Sequence, residues 1–249
     1  MDLRPRPSTA LRVLESIEDP NASLSRLADI ISLDPILTSR VIRMANSPLH
    51  RRGEDVSSVR PALSKLGTAT VQALVAGAAL PLLESDADLG PANLWLHSVS
   101  VAAAARVASP LLGVVPDVGF TAGMLHDIGA AAIYFADRAE GVPGRPVSPF
   151  GPAHAGAGAD AAAAYGFPNL LADAIRDHHR PVLAVGRLAQ LIILSESIAA
   201  AAEENSVEEP TVRLPVLLDD LRLSSRPSRL IDETRRECDR LAGLLEVHQ

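Results

Sequence analysis

Two stretches decide the fold: LWLHSVSVAAAARVA at residues 94–108 and MLHDIGAAAIYFA at residues 124–136. Both are rich in Ala and Leu, which are strong helix formers. Pro110 stops the first helix, which starts near Pro91, and Pro116 opens the second. Helix signals continue outward in both directions. Asp34-Pro35 reads as an N-cap followed by Pro at the first helical position, and Leu37, Val41, Met44 and Ala45 then share one face. Ser23 caps the preceding helix, whose apolar face is Leu24, Leu27, Ile30 and Ile31. Gly67-Thr68 reads as a C-cap and an N-cap separating a helix at 61–66 from one at 69–80. After a loop at 138–152, RAEGVPGRPVSPFGP, helices are expected at 153–165, 168–178 and 185–202. The tail from Thr211 has the periodicity of one short and one longer helix, ending in Leu241, Leu244 and Leu245. No run alternates β-branched residues between turn signals, so the expected fold is all-α with no sheet.

Two acidic, turn-rich segments divide the chain: ESDADLGP at 84–91 and EENSVEEP at 203–210. The expected organisation is an N-terminal helical bundle, 1–88, packed on a second helical half, 89–205, with a C-terminal helical tail, 206–249. Hydrophobic residues make up 47% of the 249 but aromatics only 3%, so the core must be built from Ala, Leu and Val. With 23 Lys+Arg against 30 Asp+Glu, the net charge of −7 argues against a nucleic-acid partner. The single cysteine, Cys238, excludes an internal disulfide and a Cys-based zinc site, and fits a reducing compartment. MDLRPRPSTALRV at the N-terminus lacks a signal-peptide apolar core, and the apolar stretch at 71–83 is interrupted by Gln72 and Pro81. It is too short to cross a bilayer, so no membrane partner and a cytoplasmic location are expected.

Chemistry is carried by histidine. The chain has His50, His97, His126, His154, His178, His179 and His248. Neutral imidazole and carboxylate are good ligands for Zn, Fe or Mn, and the adjacent pair His126-Asp127 can engage one or two ions. Their spacing is not that of a zinc finger, so a site must be assembled from distant helices. A purely structural role is open at the same residues. His126 can donate to a carbonyl and Asp127 can cap or pair, while His178-His179 can be a helix C-terminus where imidazolium meets the dipole. Trp95 reads as core packing, His50 with Arg51-Arg52 as a solvated loop, and His248 as frayed tail.

LWLHSVSVAAAARVA, AGMLHDIG, the histidine of GPAHAGAGA before YGFP, and AIRDHHRP occur in the order seen in HDOD domains. LRVLESIEDPNASLSRLADIISLDPILTSRVIRMANSP resembles the opening of such a domain, and SSVRPALSKLG its next helix and turn. The resemblance covers residues 8 to 205 and implies an HD-like second half, related to the HD and HD-GYP metal-dependent phosphohydrolases. It places hydrolase ligand positions at His97, His126, Asp127, His154, His178 and His179. The final Asp of those enzymes falls in LSESIA, where Glu196 is the candidate carboxylate. The implied cofactor is a divalent metal: Fe, Mn or Zn. Two departures weigh against catalysis: Ala130 stands where the hydrolases usually have Lys, and no GYP signature follows DHHRP. The expectation is a signal-transduction protein without strong catalysis, binding a small ligand such as a cyclic dinucleotide or a protein partner. The alternative is a metal-dependent phosphohydrolase acting on a nucleotide or cyclic dinucleotide.

Overall fold

The computed structural model describes residues 9, 12–13, 15–16, 23–50, 53–79, 92–131, 133, 153–164, 166–203 and 210–245. The expected boundary at 84–91, the loop at 138–152, most of the 203–210 segment and His248 lie outside the described residues. Everything regular among the described residues is helical, and no strand occurs there. The helices are α1 (Leu24–Ser32), α2 (Pro35–Ala45), α3 (Val59–Leu66), α4 (Thr68–Ala79), α5 (Ala92–Ala108), α6 (Pro116–Leu125), α7 (Ala153–Ala164), α8 (Asn169–Asp177), α9 (Arg187–Ala202), α10 (Pro210–Asp220) and α11 (Pro227–Leu245). Short 3₁₀ turns at Ser109–Leu112 and Val182–Ala184 follow α5 and precede α9. Among the described residues, no helix is long and apolar enough to cross a membrane.

Local chemistry sets the boundaries. The Ser23 side chain accepts from the Arg26 amide at the start of α1. Asp34 Oδ1 accepts from the amides of Ile36 and Leu37 at 2.8 and 2.9 Å, satisfying two donors that the first turn of α2 leaves open. Gly67 adopts φ 76°, a left-handed conformation that a Cβ would strain, and so separates α3 from α4. Asp34 is buried, so replacing it with Ala strands those amides. Asp34→Ala is expected to cost about 1–2 kcal/mol, read as a lower urea midpoint at unchanged m-value, while Asp34→Asn keeps most of the stability.

Leu27, Ile30, Ile31, Leu37, Val41, Leu63, Val71 and Val75 form the core of α1–α4. The expected apolar face of α1 loses one member, since Leu24 is 37% exposed. It sits in the first turn of the helix. In the second half α5 is central and packs against α6, α9 and α11. Its alanines explain how so many helices approach it, because Val101 to Ala105 are all fully buried. A Cβ on Gly123 of α6 would stand 2.8 Å from the Ala102 Cα, so this pair of helices is in backbone contact.

The two halves are joined by side chains rather than by sequence neighbours. Ile42 of α2 enters the cluster of Leu125, Phe167 and Ile175. Leu33 meets Ala102, Phe120, Met124 and, from the tail, Leu241. Trp95 is half-buried, and its Nε1 donates to the Leu33 carbonyl at 2.8 Å, so it ties α5 to the α1–α2 turn. A charged junction adds to this. Arg60 reaches Asp117 at 3.0 Å and Asp29 at 3.4 Å, Arg106 reaches Glu237 at 2.7 Å, and Arg240 reaches Asp29 at 3.2 Å. Burial alone would raise the Glu237 pKa, but hydrogen bonds from Arg240 and Arg106 hold it below the usual carboxylate value.

One helix differs from the reading of the sequence. The run MLHDIGAAAIYFA was expected as a single helix, but α6 ends at Leu125 and the chain turns at His126-Asp127 before regaining helical form at Ile128. The cause is close packing: Gly129 lies directly against the first turn of α7. This break aims the His126-Asp127 pair inward.

Candidate metal centre

Five helices deliver seven donor groups to one place. His97 comes from the second turn of α5, His126 caps α6 with Asp127 following it, and His154 lies in the first turn of α7. His178 caps α8 with His179 following it, and Glu196 faces inward from α9. His126, Asp127, His154 and His178 are buried to 3% exposure or less. His97 and Glu196 are partly exposed, and His179 lies at the surface.

Asp127 is the hub. Its Oδ1 lies 2.8 Å from His154 Nε2 and 3.5 Å from His178 Nε2. Its Oδ2 lies 3.3 Å from His126 Nε2 and 3.7 Å from His97 Nε2. On the Oδ1 side, His154 Nε2 also stands 3.1 Å from the Nε2 atoms of both His178 and His179. On the other side, Glu196 Oε1 is 3.7 Å from His126 Nε2.

Two backbone carbonyls fix the tautomers. His126 Nδ1 is 2.7 Å from the Gly123 carbonyl and His178 Nδ1 is 2.6 Å from that of Ile175. A carbonyl only accepts, so each Nδ1 carries the proton and donates. Each Nε2 of the neutral ring therefore presents a lone pair to the cluster. This is how a metal-ligating histidine is held by its outer contacts. The signal is faint in sequence, because the acceptors are backbone atoms three residues before each histidine.

The lone pairs converge without protons enough to satisfy them. His126 Nε2 and Asp127 Oδ1 are buried with no well-aligned hydrogen bond, even though Oδ1 has His154 close by. Burial disfavours a charged His126, but the Asp127 carboxylate, with Glu196 and the Gly123 carbonyl, outweighs it and pushes the pKa up to about 9. Burial likewise opposes ionisation of Asp127, yet His126 beside it, with His154 and His178, holds its pKa well below the ordinary value. A proton on His126 thus occupies the place of a cation. Burial and the neighbouring imidazoles lower His97 and His179 to about 4, which leaves both rings neutral near pH 7. Burial raises the pKa of Glu196.

Three overlapping groups of donor atoms each lie within 4.8 Å: Asp127 with His154, His178 and His179; His97 with His126 and Asp127; and His126 with His178 and Glu196. His126 and His178 each have one nitrogen to give, since the other is committed to a carbonyl. The first two groups can be filled together because Asp127 offers a different oxygen to each. The third shares both its histidines with them, so Glu196 completes one of the two positions. The donor set, five imidazoles and two carboxylates around buried atoms without partners, fits divalent Fe, Zn or Mn. All seven residues singled out from the sequence come together here. His50 does not, and its ring nitrogen instead contacts Ser47 at 3.4 Å.

The chain is similar to known proteins. The HDOD domain family matches residues 3–142, and the HD domain family matches residues 94–214, the part that carries the cluster. Ribonuclease Y of Acetivibrio thermocellus is 34% identical over 128 residues, half of this chain but 22% of that protein. Ribonuclease Y of Mesoplasma florum is 30% identical over 125 residues, again 22% of that protein, so the chain spans about a fifth of the curated relatives it matches. Among solved structures, the MmoQ response regulator of Methylococcus capsulatus superposes with a TM-score of 0.72 at 24% identity, covering 92% of this chain and 97% of that one. A virulence factor from Campylobacter jejuni superposes with a TM-score of 0.68 at 13% identity, covering 96% of both chains. These likenesses concern the fold. The HDOD match spans more than half of the chain and shares its helical architecture, so this protein belongs to the HDOD domain family.

Proposed function

We propose that this chain is a metal-binding regulatory module, whose His/Asp cluster holds two divalent ions and receives a phosphate-bearing ligand or signal. The observation that carries this reading is the convergence of seven donor groups around buried His126 Nε2 and Asp127 Oδ1, neither of which has a hydrogen-bond partner. Leaving such groups unpaired costs about 1–3 kcal/mol each, a cost that bound cations remove. Asp127 would serve both ions, since His154, His178 and His179 lie on its Oδ1 side and His97 and His126 on its Oδ2 side, with Glu196 beside His126. Ions held by these residues would supply Lewis acidity. The chain's residues orient the ligand-facing side, since His97, His179 and Glu196 line the partly open rim. A cyclic dinucleotide is the ligand class we favour, with a protein partner reading out the bound state.

Slow turnover follows from the same geometry. Ala130 is buried at 2% exposure, so no cation reaches the cluster from that position. Glu196, longer than Asp by one methylene, would set an ion in a different place from the shorter carboxylate. A misplacement of about 1 Å costs on the order of a hundredfold in rate. The second reading, a working phosphohydrolase, is favoured by the completeness of the seven-residue cluster and by the similarity to Ribonuclease Y over half of the chain. The test is turnover of cyclic di-GMP and of a simple phosphodiester by Mn- or Fe-loaded protein, beside His126→Ala and Asp127→Ala variants. The expected result is binding of cyclic di-GMP with turnover near the level of those variants. Robust turnover that both substitutions abolish replaces the regulatory reading with the enzymatic one.

A further inference from the structure

Helix α5 has two opposed faces. Trp95, Val99, Ala102 and Arg106 recur at helical spacing and lie along one side. Val99 and Ala102 pack with Leu33, Phe120 and Leu241, and Arg106 reaches Glu237 of α11 at 2.7 Å. His97, Val101, Ala104 and Ala108 have the same spacing, and the last three belong to the core that α9 shares. Residues two apart on a helix point about 200° from each other, so Trp95 and His97 are on opposite sides. His97 faces the cluster, with Nε2 3.7 Å from Asp127 Oδ2 and its ring centroid 5.2 Å from that of His126. Both residues sit in the first two turns of α5, where a helix has the fewest backbone bonds of its own. The start of α5 is thus only as fixed as what grips it from outside. Trp95 Nε1 donates to the carbonyl of Leu33 at 2.8 Å. Leu33 is 1% exposed and stands between the end of α1 and the Asp34 cap of α2. That turn is itself held, since the Leu33 amide donates back to the Ile30 carbonyl at 3.1 Å and Asp34 Oδ1 accepts two amides of α2.

We infer that Trp95 is a positioning residue of the metal centre. By pinning the first turn of α5 to the α1–α2 turn it holds His97 against Asp127 Oδ2, so the N-terminal half sets the affinity of the ion that His97 would hold. The inference rests on the metal-binding reading above. The effect is selective, because His154, His178 and His179 on the Oδ1 side come from α7 and α8 and the chain just after α8, not from α5. It is also reciprocal. An ion whose affinity depends on the Trp95–Leu33 contact must tighten that contact in turn, so filling this position is felt at the α1–α2 turn.

The test titrates the full chain with zinc and follows the heat of binding. The variants are Trp95→Phe, His97→Ala, the two combined, and Val71→Ala, which trims the N-terminal core away from α5. In the wild type the emission of Trp95, the single tryptophan, is followed as well. The expected result is two ions in the wild type, with an emission change as one of them binds. Trp95→Phe should weaken that ion about tenfold and leave the other unchanged. In the His97→Ala background the same substitution should have no further effect on zinc, because the two residues act as one unit. Val71→Ala should lower the Tm at unchanged zinc affinity. Wild-type zinc affinity in Trp95→Phe, equal weakening of both ions, or a loss that persists in the His97→Ala background makes Trp95 a packing residue only. Each of these overturns the inference and leaves the metal reading standing, as does an equal weakening by Val71→Ala. Should Trp95→Phe not fold, the wild type decides: emission unchanged while zinc fills both positions overturns the inference. A wild type that takes up no zinc overturns both readings together.

Discussion

Asp127→Asn is expected to abolish the two-ion binding proposed for this cluster while leaving the fold intact. The substitution is nearly isosteric, so it opens no cavity at a position only 3% exposed. What changes is charge and donor capacity. Oδ1 faces His154 and His178, and Oδ2 faces His126 and His97, so one side chain serves both ligand groups. An amide offers one oxygen and turns an NH₂ toward the other group, where lone pairs already crowd. Losing a supporting partner outside the ligand set commonly costs about ten- to hundredfold in metal affinity. Losing the shared ligand of both positions must cost more. Glu196→Gln, at the partly exposed edge of one group, is expected to weaken one ion and leave the other. The measurement is metal content after gel filtration, with circular dichroism to follow the helices. Two ions retained by Asp127→Asn would mean that the carboxylate is a structural counter-charge to His126 and that the cluster holds its metals by other atoms.

The sequence made the helices and the identity of the donors legible, and for a physical reason. Caps and breakers such as Ser23, Asp34-Pro35 and Gly67 act within a few residues, so their effect is written where it occurs. The histidines and Asp127 stood out as ligand types on separate helices, and the resemblance assigned them, with Glu196, to ligand positions. What no local pattern could give is the assignment of oxygens and nitrogens. That Asp127 turns its two oxygens toward different histidines depends on where α5, α7 and α8 cross, and that His126 and His178 are locked as Nδ1–H tautomers depends on backbone carbonyls at helix ends. The charged junction of Asp29, Arg60, Arg106, Asp117, Glu237 and Arg240 was equally illegible, since its members lie up to 211 positions apart. The break in the HDIG helix was missed for a related reason. Ala-rich sequence favours continuing a helix, and the force that ends it is the approach of α7.

That approach can be tested by a series of glycine substitutions, and Gly129→Ala is expected to be the most damaging. A Cβ at Gly129 would stand 2.0 Å from the His154 carbonyl oxygen and 2.5 Å from the Gly158 amide nitrogen. Both are backbone atoms of the first turns of α7, so no side chain can swing aside. Helix α7 must move, and it takes His154 away from Asp127 Oδ1, its partner at 2.8 Å. Overpacking of this kind costs about 1–3 kcal/mol or more, and each kcal/mol lowers the Tm of a chain this size by about 2–4 °C. Gly158→Ala should be milder, because its nearest contacts are at 3.0 and 3.1 Å and need give by only a few tenths of an ångström. Gly156, on the same helix, meets nothing within 4 Å. There alanine only removes the glycine penalty, and Gly156→Ala is expected to stabilise by about 0.5–1 kcal/mol. Melting temperature and metal content should therefore fall together for Gly129→Ala, and part company for Gly156→Ala, which gains stability at unchanged metal content. Equal effects from Gly129→Ala and Gly156→Ala would show that the glycines matter only as weak helix formers, and that the contact between the HDIG turn and α7 does not position His154.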